Sequence, residues 1–181
     1  FLLVFLCTCC SYLVQLLSSR GSQIQEQVYM PTNGVYILNN NLKPSVACYD
    51  LIKCFESFRA RPYYCAGGKL TIGYGTTRGV TSNMVVTHEK AIEMLHQDVE
   101  IFSESVNKYI TAPLNQNQFD AIVSWVYNIG EGNFKHSTFL RFINSGKYDE
   151  AGKELLKWHF IKKMFSSGLA NRREAEYALY T

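Results

Sequence analysis

Three side chains that can transfer protons or hold a water molecule follow one another as E-x8-C-x5-T: Glu56, Cys65 and Thr71. A carboxylic acid can protonate a leaving group, a thiolate carries charge and can accept a proton, and a hydroxyl can orient water. The apolar neighbours Ile52 and Phe55 would desolvate Glu56 and disfavour its charged form. Taken alone, the pattern also fits an exposed helix glutamate and an unrelated strand threonine.

The segments that carry these residues predict a small region of mixed structure. One face of a short helix before and around Glu56 is marked by four apolar residues: Leu51, Ile52, Phe55 and Phe58. Over residues 63–76, aromatic and β-branched residues interleave with four glycines, which predicts short strands and tight turns. Cys65 and Thr71 therefore fall on strands or turns rather than on a helix.

Helical periodicity dominates the rest of the chain. Apolar residues recur at spacings of three and four after Thr87, a suitable N-cap, which predicts a long helix over residues 88–110. Further helices are predicted around residues 119–126, 137–145, 148–160 and 169–180. A small strand-bearing part followed by a helical remainder is an α+β arrangement.

The N-terminal part differs in composition from the remainder. Residues 1–17 are mostly apolar and carry no charge, which indicates a signal peptide or a membrane anchor, with a buried core helix as the alternative. Residues 18–46 are rich in Gly, Ser, Gln and Asn and are predicted to be a linker. The domain itself is expected to span residues 47–181.

Composition and charge limit the classes of protein to which the chain can belong. The chain has 181 residues, of which 47% are hydrophobic and 18% charged, so it is predicted to fold rather than to be disordered. A net charge of +3 favours anionic partners without choosing among them, and no motif supports nucleic-acid binding. The four histidines are isolated and no zinc-type Cys or His spacing occurs, so no metal site is expected.

Several further motifs follow Glu56 in a fixed order. Thr71 opens the run TIGYGT, and the later segments are NQNQFDA, SWVYNIG, STFL, NSG and GLANRREAE. Over roughly residues 47–180 this order resembles the phage-type lysozymes of glycoside hydrolase family 24, whose signature is E-x8-D/C-x5-T. The chain resembles the subgroup with Cys at the second catalytic position.

The resemblance implies a lysozyme-like fold with two lobes. A small β-containing lobe over residues 47–87 would be joined by the 88–110 helix to a larger helical lobe, with the substrate cleft between them. The implied reaction is hydrolysis of the β-1,4 bond between N-acetylmuramic acid and N-acetylglucosamine in peptidoglycan, without a metal or organic cofactor. The expected protein is a monomer, exported or membrane-tethered, that acts in the periplasm or cell envelope of a host.

The resemblance also assigns roles to individual residues. Glu56 would be the catalytic acid, and Cys65, where Asp is usual, would act with Thr71 on the opposite face of the sugar. Three more residues are expected to bind substrate or support the site: Arg172, Tyr74 and Ser137. A cation at Arg172 would orient Glu56 but would also favour its charged form.

Cysteine chemistry offers a means of regulation. Six cysteines form two groups: Cys7, Cys9 and Cys10 in the apolar segment, and Cys48, Cys54 and Cys65 in the domain. Members of the family with Cys at the second catalytic position are controlled by disulfide formation, which implies a bond from Cys65 to Cys48 or Cys54. Exchange with an N-terminal cysteine would release it. A purely structural bond, or no bond, is the alternative.

Two other functions remain open at the level of sequence. The first is a wall-binding module without turnover, in which Cys65 has abolished catalysis. The second is a lytic transglycosylase, which forms anhydro-sugar ends without attack by water. Glu56 and Thr71 argue against the binding module, and Thr71 favours hydrolysis over the transglycosylase reaction.

Overall fold

A computed structural model describes residues 42–65, 67–161 and 163–181. The elements within these ranges are α1 (Val46–Phe55), β1 (Arg59–Tyr64), β2 (Leu70–Gly73), α2 (His88–Tyr109), α3 (Gln116–Ile129), α4 (Glu131–Lys135), α5 (Thr138–Asn144), α6 (Tyr148–Leu155), β3 (Phe160–Ile161), β4 (Met164–Phe165) and α7 (Ser167–Tyr180). The predicted apolar segment 1–17 and residues 18–41 of the predicted linker lie outside the described residues. Among the described helices, none combines the length and apolar character needed to cross a membrane.

Helix α1 carries Glu56 at its C-terminal end. Ser45 caps the helix by accepting a hydrogen bond from the Ala47 N–H at 3.2 Å. The buried face holds Cys48, Leu51 and Ile52, as the apolar spacing predicts. Glu56 has left the helical conformation (φ −101°, ψ 103°), although its N–H still donates to the Ile52 carbonyl at 2.9 Å. The side chain therefore projects from the first residue beyond the helix.

Strands β1 and β2 form a small antiparallel sheet directly after Glu56. Tyr63 pairs with Thr71 and Tyr64 with Leu70, so Cys65 sits at the turn end of β1. After β2 the chain folds back sharply, because Ile72 bridges to Thr76. Gly75 permits this turn with a φ of +101°, a value that residues with a side chain rarely adopt.

The long helix α2 joins the two parts of the molecule. Thr87 caps it by accepting a hydrogen bond from the Lys90 N–H at 3.2 Å, and the helix ends at Tyr109, which confirms the predicted 88–110 helix. It packs against β2 on one side and against α3 on the other. At the first contact a Cβ on Gly73 would lie 3.2 Å from the Cβ of Ala91, so strand and helix approach closely.

The helical part is built around α3. Asn115 and Gln118 form a complete capping box at its start, and every residue from Phe119 to Tyr127 is buried. Trp125 has no exposed surface and contacts the rings of Phe134, Phe139 and Trp158. A helix that is buried on all sides is the centre of a core. The fold is α+β and lysozyme-like, as expected.

Two details of the helical part differ from the sequence predictions. The helix predicted over residues 148–160 is wrong in its second half, because α6 ends at Leu155. Trp158 then packs edge-to-face on Trp125 at 5.5 Å, and the chain turns away into the β3–β4 hairpin. The short helix α4 was not predicted. It follows α3 after a break at Gly130, whose φ is +81°.

Residues 42–45 are tied to the helical part by polar contacts. The Ser45 N–H donates to Asp120 Oδ1 at 2.9 Å, and its hydroxyl donates to Oδ2 at 2.5 Å. Gln116 donates to the Lys43 carbonyl at 2.9 Å. These contacts fix the start of α1 to α3. They therefore also fix the direction of the helix, which ends just before Glu56.

Candidate active site

A cleft of about 750 Å³ runs along the small sheet and the helical part. Its lining includes all three residues of the E-x8-C-x5-T pattern: Glu56, Cys65 and Thr71. The helical part contributes Phe102, Tyr127, Trp158 and Phe160, among others. Residues far apart in sequence thus enclose one space that contains the candidate acid.

The protein holds the Glu56 side chain through one of its two carboxylate oxygens. Arg172 donates from Nη1 to Glu56 Oε1 at 2.6 Å. The Glu56 side chain retains 21% of its exposure, whereas that of Arg172 retains 3%. The second oxygen, Oε2, lies 3.3 Å from the position that a Cβ on Gly75 would take. One oxygen is therefore anchored in the protein and the other faces the Gly75 turn.

Arg172 belongs to a buried group of charges. Its Nε donates to Glu176 Oε1 at 3.0 Å, and Glu176 also accepts from the Ser124 hydroxyl at 2.9 Å. Arg173 pairs with the other Glu176 oxygen at 2.8 Å. With Glu56, two cations and two anions are brought together, so the charges of the group balance.

The charge of Arg172 is stabilised by its two carboxylate partners. Burial works against the charged form, but Glu176 and Glu56 outweigh it and raise the pKa of Arg172 above its usual value. For Arg173, burial prevails and lowers the pKa. Arg172 therefore remains a fixed cation beside Glu56 over the whole working pH range.

Cys65 occupies a different environment on the sheet side of the cleft. Partial burial raises its pKa, but backbone hydrogen bonds from Lys69, Gly67 and Gly68 help to outweigh this, so the thiol pKa is lowered. The turn is closed by the Cys65 N–H donating to the Lys69 carbonyl at 3.0 Å. The loop thus favours a thiolate at this position.

Thr71 lies across the strand pair from Tyr63. Its hydroxyl donates to the Lys69 carbonyl at 2.9 Å, which commits the hydroxyl proton and leaves the oxygen as an acceptor. Tyr63 lies near both Glu56 and Cys65. Burial, followed by these two acidic groups, raises the pKa of Tyr63, so its hydroxyl keeps its proton.

The Gly75 turn is fixed from beneath by Tyr127. The Tyr127 hydroxyl donates to the Tyr74 carbonyl at 2.6 Å, and a Cβ on Gly75 would lie 3.2 Å from the same hydroxyl oxygen. Burial is the main cause that raises the pKa of Tyr127, so this donor stays protonated. The turn therefore holds its position relative to Glu56.

The sequence motifs did not identify a second carboxylate in the cleft, that of Asp98. Asp98 on α2 lines the cleft and accepts from the Thr76 hydroxyl at 2.7 Å and from Arg78 at 3.1 Å. It clamps the residue after Gly75 to the long helix. Asp98 falls within the helix periodicity as an ordinary polar position, so only its contacts with the turn distinguish it.

Comparison with known proteins places the chain in a family. A sequence model of the family described as phage lysozyme matches residues 53–176. The endolysin of Acyrthosiphon pisum secondary endosymbiont phage 1 is 40% identical over 134 residues, which cover 72% of this chain and 92% of that protein. The chain belongs to the phage lysozyme family.

Other relatives agree with this assignment. The SAR-endolysin of Bacteriophage PS119 is 34% identical over 122 residues, 67% of this chain and 73% of that protein. The solved muramidase domain of SpmX from Asticaccaulis excentricus is 36% identical with a TM-score of 0.71, covering 77% of this chain and 97% of the domain. The chain spans about half the length of the Bacillus phage endolysins that it also matches (53% and 54%).

Family membership makes the chain a lysozyme-type glycoside hydrolase. The fold and the class of enzyme expected from the E-x8-C-x5-T pattern and its following motifs are thereby confirmed. The family assignment does not by itself assign a role to any residue of the cleft.

None of the three expected supporting residues, Arg172, Tyr74 and Ser137, belongs to the cleft lining. Tyr74 is buried, with its hydroxyl 2.8 Å from His88 Nε2. Ser137 is the buried N-cap of α5, accepting from the Leu140 N–H at 3.1 Å. Both residues have clear structural partners, whereas Arg172 contacts the candidate acid directly.

Cys48 and Cys65 of the described domain are both free thiols. Cys48 is fully buried in α1, and burial, followed by the charges of Asp120 and Glu176, raises its pKa well above the usual value. Cys54 and Cys65 are both partly exposed. Among the described residues, no group of three His, Cys, Asp or Glu side chains could hold a metal ion.

Proposed function

We propose that this peptidoglycan hydrolase cleaves the β-1,4 bond between N-acetylmuramic acid and N-acetylglucosamine, with Glu56 as the general acid. The observation that carries the proposal is the position of the Glu56 carboxyl group, which is anchored through Oε1 by Arg172 at 2.6 Å in a cleft that Cys65 and Thr71 also line. An acid and a proton-accepting partner in one cleft are what glycoside hydrolysis requires.

The two oxygens of Glu56 would have separate tasks. Oε1 accepts from Arg172, so the transferable proton would reside on Oε2, which faces the Gly75 turn. Arg172 is itself held by Glu176, which accepts a hydrogen bond from its Nε at 3.0 Å. The position of Arg172 therefore fixes the direction of the Glu56 carboxyl group.

Cys65 and Thr71 would act on the other face of the sugar. The Thr71 oxygen can accept a hydrogen bond from the attacking water, because its own proton is committed to Lys69. A thiolate at Cys65, favoured by the surrounding N–H groups, can stabilise positive charge on the sugar and accept a proton from that water.

The test is turnover of purified peptidoglycan by the full chain and by Glu56→Gln. Loss of a general acid is expected to reduce the rate by about 10²–10⁴-fold. Glu93→Gln is the matched control, since this glutamate is exposed and pairs only with Lys90 among the described residues. Equal activity of Glu56→Gln and the parent would reject the assignment of the acid.

Product mass separates hydrolysis from the transglycosylase reaction. Incorporation of one oxygen from ¹⁸O-labelled water into the reducing end is expected, because hydrolysis consumes water. Anhydro-sugar ends without label would instead identify a transglycosylase. A folded parent that binds peptidoglycan without turnover would identify a wall-binding module.

The proposal includes redox control through Cys65. A partly exposed thiol with a lowered pKa is the group most able to exchange with a disulfide. Cys48 is buried with a raised pKa, so Cys54 is the better partner within the described domain. In the exchange, an N-terminal thiolate would attack the disulfide, form a new bond with one sulfur and release Cys65 as a thiolate.

Reductant response tests this control. Lysis by the oxidised parent is expected to rise on reduction, and Cys54→Ser is expected to be active without reductant. The same response to reductant in the parent, Cys54→Ser and Cys65→Ser would reject the idea.

The proposal also places the protein at the membrane through residues 1–17, on the basis of their uncharged apolar composition. The full chain is expected to sediment with membranes and to resist extraction by alkaline carbonate. Leu13→Arg should release it, because a charge in an apolar span is costly. Equal distribution of both proteins in the soluble fraction would overturn the placement.

A further inference from the structure

The β3–β4 hairpin exposes an unusual amount of apolar surface. Phe160 is 56% exposed, Met164 69% and Phe165 63%. The other exposed large hydrophobic residues of the described ranges lie on separate segments of the chain: Val46, Tyr64, Val85 and Ile101. A clustered apolar patch on a soluble domain usually marks a binding surface.

The hairpin is held in a defined position. The Ser166 N–H donates to the His159 carbonyl at 2.9 Å and so closes the base of the hairpin. His159 Nδ1 lies 2.5 Å from the Leu156 carbonyl, and its ring contacts Phe160 at 4.5 Å and Phe165 at 5.4 Å. The Phe160 and Phe165 rings are 6.3 Å apart. These contacts orient Phe160 before any ligand arrives.

The patch is continuous with the catalytic cleft. Trp158, Phe160 and Ile161 all line the space that contains Glu56. The sheet side of the same space is lined by polar groups, including Tyr63, Lys69 and Thr71. The hairpin therefore contributes apolar groups to the cleft, whereas the small sheet contributes polar groups.

A peptidoglycan glycan strand has matching chemistry. A pyranose ring presents C–H groups on its faces and hydroxyl groups around its edges, and each acetamido group adds a methyl. An aromatic side chain can cover such a face, while polar groups opposite bind the edge. The hairpin could contact a membrane surface without being continuous with the cleft. The observed continuity therefore favours a glycan strand as the ligand.

We propose that the β3–β4 hairpin is a glycan-binding wall in which Phe160 covers an apolar sugar face next to the scissile bond. Phe165 supports the Phe160 ring from the neighbouring strand. The inference rests on the proposed function, since it names how the same cleft holds its substrate. It makes Phe160 a determinant of substrate affinity rather than a participant in proton transfer.

The first experiment measures kcat and KM on soluble, peptide-free glycan strands. Phe160→Ala is expected to raise KM by about threefold to tenfold, the range for one aromatic contact, with kcat changed less than about twofold. Phe160→Trp should restore KM and Phe160→Leu should not. Val85→Ala is the matched control, because Val85 is 60% exposed and does not line the cleft.

A binding measurement keeps the inference separate from catalysis. Trp125 is fully buried whereas Trp158 lines the cleft, so glycan binding should change Trp158 fluorescence. In Glu56→Gln, the dissociation constant for glycan strands should rise by about threefold to tenfold when Phe160→Ala is added. If Glu56→Gln retains full turnover, the assignment of the acid fails while this binding result still decides the role of the hairpin.

Two results would overturn the hairpin proposal. One is an unchanged KM and dissociation constant in Phe160→Ala. The other is binding of Leu13→Arg to vesicles of anionic phospholipid that the addition of Phe160→Ala abolishes, with glycan affinity unchanged, which would make the hairpin a membrane contact instead.

Discussion

Glu56 and Cys65 line the same cleft but are positioned by opposite means. Glu56 is held by a buried group of side-chain charges in which Arg172 and Glu176 retain only 3% and 0% of their side-chain exposure. Cys65 is held by N–H groups of the turn between β1 and β2. The first arrangement joins residues that are 116 positions apart, and the second is made within a few residues.

The two arrangements differ in the substitutions that each can tolerate. Buried charges fix a direction firmly, but removal of one leaves another unpaired at high cost. Backbone donors need no particular side-chain partner, so the turn can accommodate a thiolate. Glu56 is therefore expected to tolerate substitution of its neighbours less well than Cys65 does.

The largest expected effect is that of Glu176→Gln on stability. Removal of this charge leaves the buried group around Arg172 and Arg173 with an uncompensated positive charge. The free energy of unfolding should therefore fall by about 3–5 kcal/mol. Urea unfolding followed by circular dichroism measures it. Glu93→Gln breaks an exposed pair with Lys90 and should cost less than about 1 kcal/mol. Equal losses in both variants would mean that the buried charges do not act as a unit.

The next effect is that of Gly75→Ala on turnover. The new methyl would meet Tyr127 Oη at 3.2 Å and Glu56 Oε2 at 3.3 Å, and displacement of the acid should lower kcat by about 10²-fold. Gly79→Ala is the control, because Gly79 also has a positive φ (+69°) but no atom within 4 Å of the added carbon. Similar kcat values for the two variants would show that backbone strain, rather than contact with Glu56, limits the rate.

The smallest expected effect is the difference in alkylation rate between the thiols of Cys65 and Cys48. The lowered pKa of Cys65 means that its thiolate forms at lower pH than that of an ordinary cysteine, so alkylation should reach its plateau earlier as pH rises. At neutral pH, Cys65 should react with iodoacetamide at least about tenfold faster than Cys48, whose pKa is raised by burial. Mass spectrometry of the labelled peptides measures both rates. Equal rates would show that the turn does not stabilise a thiolate.

The elements around the acid could be predicted from sequence because local signals specify them. The Thr87 cap and the repeated apolar spacing defined α2, and the glycine-rich stretch indicated the β1–β2 sheet and the Gly75 turn. The end of α6 could not be predicted, since it depends on the packing of Trp158 against Trp125. Two-residue strands such as β3 and β4 are too short for an alternating pattern to show.

The sequence by itself determined the fold class and the order of the motifs, because helix periodicity and the order of residues along one chain are local properties. The resemblance of that order to the phage-type lysozymes then singled out Glu56, Cys65 and Thr71 as candidates. Only the tertiary structure decided that Arg172 shares its charge between Glu56 and Glu176, that Asp98 clamps the turn, and that the hairpin forms an apolar wall. These features join side chains from distant segments. Their energies depend on distance and burial, which no local pattern encodes.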